Sequence, residues 1–132
     1  GTSNIVAIDV LRAIRKEGSL PALQHHIGAL LDEGLPCAAP LADLQARSLE
    51  QAYALAQHAA DQDRDDLARQ AASALYHAVT MASLRWEART PALQTRALIA
   101  DQVLIHRLAP RDPCAIPADE DAACRAILHD AL

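Results

Sequence analysis

The chain has 132 residues, of which 52% are hydrophobic, and a formal net charge of −5. Alanine supplies much of the hydrophobic content and the only aromatic residues are Tyr53, Tyr76 and Trp86, a composition that favours closely packed helices over strands. The acidic balance, with Lys16 as the single lysine, disfavours a nucleic-acid interface, because such an interface needs a basic stripe.

The first sixteen residues predict a capped amphipathic helix. We expect it to run from about residue 4 to residue 17, with Ser3 or Asn4 as its N-cap. Its apolar stripe consists of residues at helical spacing, namely Ile5, Ile8, Leu11 and Ile14. The Gly-Thr-Ser segment before it offers backbone amides and hydroxyls that suit a phosphate, although an ordinary cap is the commoner use of such residues.

Glycines, prolines and an acidic turn divide the rest of the chain into five further helical stretches. We expect the first between Ser19 and Gly34 and the others at about residues 41–60, 65–89, 91–108 and 117–132. The stretch 65–89 is long and rich in alanine, which indicates a central position. Because the connections are short, neighbouring helices should be antiparallel. The predicted fold is therefore all-α, an antiparallel up-and-down helical bundle of about four to five helices plus an N-terminal helix.

The start of the chain carries a resemblance to a known family. Gly-Thr-Ser-Asn-Ile, residues 1–5, runs directly into an amphipathic helix that contains Ile-Asp-Val-Leu-Arg, residues 8–12, and this arrangement resembles the C-terminal region of acyl-CoA dehydrogenases. In that family a Tyr-Glu-Gly-Thr type motif carries a glutamate that removes the α-proton of the acyl-CoA, while the flavin N5 accepts a hydride from the β-carbon. The remainder of the chain is similar to the helical tail of longer members, including the DNA-alkylation-response flavoproteins.

The resemblance implies roles for the first four residues. Gly1 would approach the substrate, and Thr2, Ser3 and Asn4 would lie near the adenosine-diphosphate end of FAD. The catalytic glutamate is expected immediately before Gly1, so that no catalytic residue is expected within the chain.

The resemblance also implies a division of the chain and a set of partners. Residues 1–17 would be the last motif and helix of the flavin-binding dehydrogenase body, and residues 18–132 a C-terminal helical bundle extension. The parent protein is expected to oxidise an acyl-CoA to a 2-enoyl-CoA with FAD, to use an electron-transfer partner and to form a homo-oligomer. The chain alone is expected to be inactive and not to retain FAD.

Cysteine usage and hydropathy bear on the location of the protein. Cys37, Cys114 and Cys124 show no Cys-x-x-Cys spacing and are odd in number, which favours a reducing cytoplasm over a disulfide framework. The longest uncharged run, residues 70–84, is too short and too polar to span a bilayer. We therefore predict a cytoplasmic protein without a membrane span.

Two further sets of acidic residues could be functional, but each also has a purely structural explanation. Asp101 falls on the apolar side of its helix, which favours an ion pair with Arg85, Arg89 or another arginine over the role of a catalytic acid. The acidic run 61–66 is expected to be a solvated turn, because neither its spacing nor its composition suits a calcium loop. A second function class also stays open, in which the chain is an independent helical interaction module without catalytic activity.

Overall fold

The computed structural model describes residues 2–114 and 121–132, and the regular structure in these ranges is entirely helical. The α-helices are α1 (Thr2–Glu17), α2 (Ser19–Glu33), α3 (Ala39–Asp61), α4 (Ala68–Glu87), α5 (Arg96–Val103) and α6 (Asp121–Ala131). Short 3-10 turns at Asp65–Leu67 and Pro91–Leu93 precede α4 and α5, and a π-helical turn, Leu104–Leu108, follows α5. The predicted all-α bundle is confirmed.

Helix α4 is the centre of the bundle, as its alanine content predicts. It packs against α1, α2, α3, α5 and the π-helical turn. Four of its seven buried residues are alanines, and the complete set is Ala68, Ala71, Leu75, Ala78, Met81, Ala82 and Arg85. Because alanine side chains project little from a helix, the neighbouring helices approach α4 closely on several sides, and the distance between packed helices depends on the side chains at the contact.

Helix α1 is anchored to the bundle along one side only. Ala7, Leu11 and Ile14 are buried against α3 and α4. The predicted apolar stripe includes Leu11 and Ile14, but its first member, Ile5, is not part of this buried side. Near the start of the helix, Ile5 and Val6 are 63% and 57% exposed. The N-terminal end of α1 therefore presents apolar side chains to solvent.

The start of α1 differs from the sequence prediction. The helix begins at Thr2, so Ser3 and Asn4 lie within its first turn, and the expectation that one of them is the N-cap was wrong. Helix ends shift by one or two residues between sequence-based and hydrogen-bond-based definitions, and serine and asparagine are tolerated in a first turn. Gly1, assigned to the substrate by the resemblance, lies outside the described residues.

The acidic run 61–66 forms an exposed turn that also holds the C-terminal end of α1. Asp63 adopts the left-handed conformation at φ 52°, which ends α3 and which aspartate tolerates better than most residues. Arg15 Nε donates a hydrogen bond to the carbonyl oxygen of Ala60 at 2.9 Å and lies 3.0 Å from a carboxylate oxygen of Asp63. The turn therefore fastens α1 to the end of α3.

The predicted helix 91–108 consists of three segments in the structure: the 3-10 turn Pro91–Leu93, α5, and the π-helical turn that follows α5. The Ala109 N–H donates to the carbonyl oxygen of Leu104 at 2.8 Å, five residues back instead of four. Such an insertion widens one turn and rotates the residues that follow, and π-helical turns are frequent at functional sites. The predicted start of the last helix, near residue 117, lies outside the described residues.

The described part of the chain contains no helix whose length and apolar content would let it cross a membrane.

Gly34 marks the closest approach between the end of α2 and α4. Leu35 N–H donates to the Arg85 carbonyl oxygen at 2.9 Å. A Cβ atom on Gly34 would lie 2.8 Å from the Leu30 carbonyl oxygen and 2.9 Å from both the carbonyl carbon and the carbonyl oxygen of Arg85. All three are backbone atoms, so the contact is relieved only by moving α2 or α4.

We predict that Gly34→Ala lowers the free energy of unfolding by about 1–3 kcal/mol, the usual cost of overpacking a tight contact. Gly28→Ala is the matched control, because Gly28 lies inside α2 with open space around its Cβ position. The control should gain about 0.5–1 kcal/mol from the higher helix propensity of alanine. Urea unfolding followed by circular dichroism measures both, and equal effects of the two changes would contradict the close approach at Gly34.

Candidate functional site

The residues that the resemblance assigns to FAD share one end of one helix. Thr2, Ser3 and Asn4 occupy the first turn of α1 and are exposed. Their neighbours Ile5 and Val6 are exposed as well, so this end of α1 combines hydroxyl, amide and apolar groups on an accessible surface. The first turn of a helix also carries backbone N–H groups without intrahelical partners, which favour anions.

A small cavity lies beside this end of α1. It has a volume of about 250 Å³ and lies between Asn4 and Ile8 of α1 and the residues that start α4. Asp65, Asp66 and Arg69 supply its charged groups, and Arg64 holds the pKa of the Asp66 carboxyl below its usual value through a hydrogen bond. Two carboxylates make the cavity unfavourable to an anion, so a diphosphate would have to reach Thr2 and Ser3 from outside it.

A second polar cluster surrounds Arg85, which is 1% exposed. Its Nε donates to Gln45 Oε1 at 2.7 Å, and one terminal nitrogen donates to Asp101 Oδ1 at 2.8 Å and to Cys37 Sγ at 3.2 Å. The guanidinium thereby joins α4 to α3, to α5 and to the loop after α2. The predicted pairing of Asp101 with Arg85 is confirmed.

The residues of the Arg85 cluster are suited to a structural role and not to catalysis. Burial raises the pKa of the Cys37 thiol, and the nearby Asp101 carboxylate adds to the rise, while the Arg85 charge opposes it. A cysteine nucleophile needs a lowered pKa, because the thiolate is the reactive form. Asp101 already shares its carboxylate with a buried guanidinium, which leaves it poorly suited to act as a general acid or base.

Sequence reasoning identified one pair of the cluster and missed two members. Gln45 and Cys37 are 40 and 48 residues from Arg85 in the chain. Gln45 carries no charge that demands a partner, and Cys37 lies in a proline-containing loop without a spacing motif. The apolar context of Asp101 was the only signal that pointed to a buried ion pair.

Within residues 2–114 and 121–132, no group of three or more His, Cys, Asp or Glu side chains could hold a metal ion.

No protein-family model matches the sequence, and neither a curated protein nor a solved structure shows significant similarity to it. The resemblance to acyl-CoA dehydrogenases therefore depends mainly on the residues of its N-terminal motif and of α1.

We predict that Asp101→Leu lowers the free energy of unfolding by about 3 kcal/mol, because it leaves the Arg85 guanidinium buried without its carboxylate. The double variant Arg85→Met/Asp101→Leu should recover most of this loss. Arg89→Met is the control, because Arg89 is exposed and lies 3.6 Å from Glu33, and it should cost less than about 1 kcal/mol. A double variant that is no more stable than Asp101→Leu in urea unfolding would contradict a coupled pair.

His77 on α4 has a shifted pKa that makes a second prediction. Partial burial lowers it below the ordinary value of 6.5, and the Arg107 charge lowers it further. The folded state thus disfavours the protonated form of His77. The free energy of unfolding is therefore unaffected by His77 above pH 6.5, and it decreases as the pH falls from 6.5 through the pKa of His77 in the folded state. We expect NMR titration to find a low His77 pKa that rises part of the way to normal in Arg107→Gln. An unchanged His77 pKa in that variant would contradict the proximity of Arg107.

Proposed function

We propose that this chain is the C-terminal helical part of an FAD-dependent acyl-CoA dehydrogenase-like flavoprotein. The observation that carries the proposal is the exposure of Thr-Ser-Asn-Ile, residues 2–5, the part of the motif that the structure describes. Thr2, Ser3 and Asn4 are exposed in the first turn of α1, while the rest of α1 is anchored to α3 and α4. The family-like motif is thus accessible to a protein body on the outer side of the helix.

The two sides of α1 support the proposed division of the chain. Ala7, Leu11 and Ile14 contact the bundle formed by residues 18–132, and Ile5 and Val6 face solvent. In this proposal another part of the parent protein covers the exposed Ile5 and Val6. In this proposal residues 1–17 complete the flavin-binding body, and the extension holds α1 from its other side.

The roles proposed for the motif residues come from the family resemblance, and the chemistry of the residues is compatible with them. Thr2 and Ser3 hydroxyls, the Asn4 amide and the free N–H groups of the first turn would donate to the diphosphate of FAD. The flavin, when bound in the parent, supplies a hydride acceptor. Gly1 would let the backbone approach the substrate closely, since it has no side chain.

The parent protein would supply the remaining parts of the reaction. A glutamate directly before Gly1 would remove the α-proton of the acyl-CoA, and an electron-transfer partner would reoxidise the flavin. A homo-oligomer in the cytoplasm is the proposed setting, with no role for nucleic acid.

The exposed Ile5 and Val6 also favour a second candidate function. In that candidate the chain is an independent helical interaction module without catalytic activity, and the apolar end of α1 binds another helix or a second copy. The two candidates differ in what precedes Gly1, and this difference decides the first experiment.

We expect the reading frame upstream of Gly1 to encode a glutamate at the preceding position within a long protein, and the purified full-length product to show a flavin absorption spectrum. A start codon or tag directly before Gly1, or a full-length product without flavin, would overturn the dehydrogenase proposal and leave the interaction module. The 132-residue chain alone should not oxidise acyl-CoA, and activity of the chain alone would contradict the upstream base.

Ser3→Asp in the full-length protein tests the diphosphate contact. An aspartate in the first turn should repel the diphosphate and weaken FAD retention, whereas the same change should not destabilise the 132-residue chain, because a carboxylate favours a helix N-terminus. Gln24→Glu is the matched control, since it also adds one negative charge at an exposed position, in α2. Equal FAD retention in both variants would contradict the assignment of Ser3.

A further inference from the structure

A second cavity lies between α3 and α4, and its lining residues lie between positions 48 and 110. Its volume is about 450 Å³, within the range of small-molecule sites. The π-helical turn and Pro110 close one end of it, and Leu55 and Leu108 contribute to its apolar wall. It does not involve the residues of the proposed flavin contact, so it is independent of the proposed function.

The inner wall of the cavity carries a hydroxyl without a partner. Ser48 is 1% exposed, and its Oγ makes no hydrogen bond with the described residues. A serine or threonine inside a helix commonly satisfies itself on the carbonyl four residues back, as Thr80 does with Tyr76 at 2.9 Å. Leaving a buried hydroxyl unpaired costs stability, so the position of Ser48 beside a cavity calls for a ligand group.

The charge of the cavity is positive. Arg107 lies in the π-helical turn, lines the cavity, and forms no ion pair with the residues that the structure describes. The positive charge of Arg107 also acts on His77 of α4 and contributes to lowering the pKa of that imidazole. Gln51, Gln70 and Ser73 are further polar residues of the wall, and none of the described lining residues is an aspartate or a glutamate.

We propose that the cavity between α3 and α4 binds a small organic monocarboxylate with a short aliphatic chain. The carboxylate pairs with the Arg107 guanidinium, whose fork of N–H groups matches two carboxylate oxygens. The Ser48 hydroxyl turns about χ1 to donate to the ligand, and the aliphatic chain lies against Leu55 and Leu108.

The same features argue against a phosphate as the ligand. Gln70 brings the first turn of α4 to the cavity, but a 3-10 turn precedes that helix and the Ala68 N–H already donates to the Asp65 carbonyl oxygen. This helix start is therefore not a free anion site. A single guanidinium beside apolar side chains matches one negative charge better than two.

The test uses the 132-residue chain with sodium hexanoate as the probe, hexanamide as its neutral analogue and inorganic phosphate as the competing anion. Calorimetry should show saturable hexanoate binding, with hexanamide and phosphate at least about tenfold weaker because they lack the paired charge or the chain. NMR shifts on hexanoate addition should be confined to α3, α4 and residues 104–110. Absence of saturable hexanoate binding, or equal binding of hexanamide, would overturn the proposal.

Two variants locate the site. Arg107→Gln should weaken hexanoate binding by about tenfold or more, which is typical for loss of a hydrogen-bonded charge. Arg47→Gln is the control with the same net charge, because Arg47 is an exposed α3 residue that does not line the cavity. Equal losses in the two variants would show a general charge effect and overturn the assignment.

Ser48→Ala separates a ligand contact from a structural role. It should raise the Tm of the free chain, because it removes an unpaired buried hydroxyl, and at the same time weaken hexanoate binding. A raised Tm with unchanged affinity would overturn the role of Ser48 in the site. This variant also keeps the proposal falsifiable if Arg107→Gln fails to fold.

Discussion

The buried guanidinium of Arg85 constrains the arrangement of the helices around α4. It is the largest fully buried side chain in the described part of the chain, within a core made mostly of alanine. Small side chains distinguish poorly between alternative helix registers, because they offer few knobs and holes. A guanidinium has to place its N–H donors on acceptors, and here those acceptors come from Gln45, Asp101 and Cys37. These contacts connect α3 and α5 to α4.

The same end of the bundle depends on the Arg85 backbone as well as on its side chain. The Arg85 carbonyl accepts from Leu35, and Gly34 fits against it only because it has no Cβ atom. One residue of α4 thus positions the end of α2, the loop that follows it, and parts of two further helices. Because all its polar groups serve this arrangement, the cluster provides packing and leaves functional chemistry to the surface of the bundle.

Two candidate sites in the described part of the chain lie on different elements. The N-terminal end of α1 exposes Thr2, Ser3 and Asn4 together with two apolar side chains, which suits contact with a protein body and a cofactor. The cavity between α3 and α4 combines an unpaired hydroxyl with Arg107, which suits a small anion. A helical extension with its own ligand site would let a small carboxylate stabilise the bundle that holds α1, since a ligand that binds only the folded state shifts its stability.

The sequence by itself determined the helices, because apolar periodicity, glycines and prolines are local signals, and it indicated the central position of α4 and the pairing of Asp101 with an arginine. It also carried the N-terminal motif, whose flavin roles stay a prediction. Only the tertiary structure decided that Gln45 and Cys37 complete the Arg85 cluster, that Ser48 is left without a partner, and that a π-helical turn brings Arg107 to the cavity. These features join residues tens of positions apart or shift one hydrogen bond by a single residue. No local sequence pattern predicts the long-range contacts or the shifted hydrogen bond, because both depend on how the helices pack against one another.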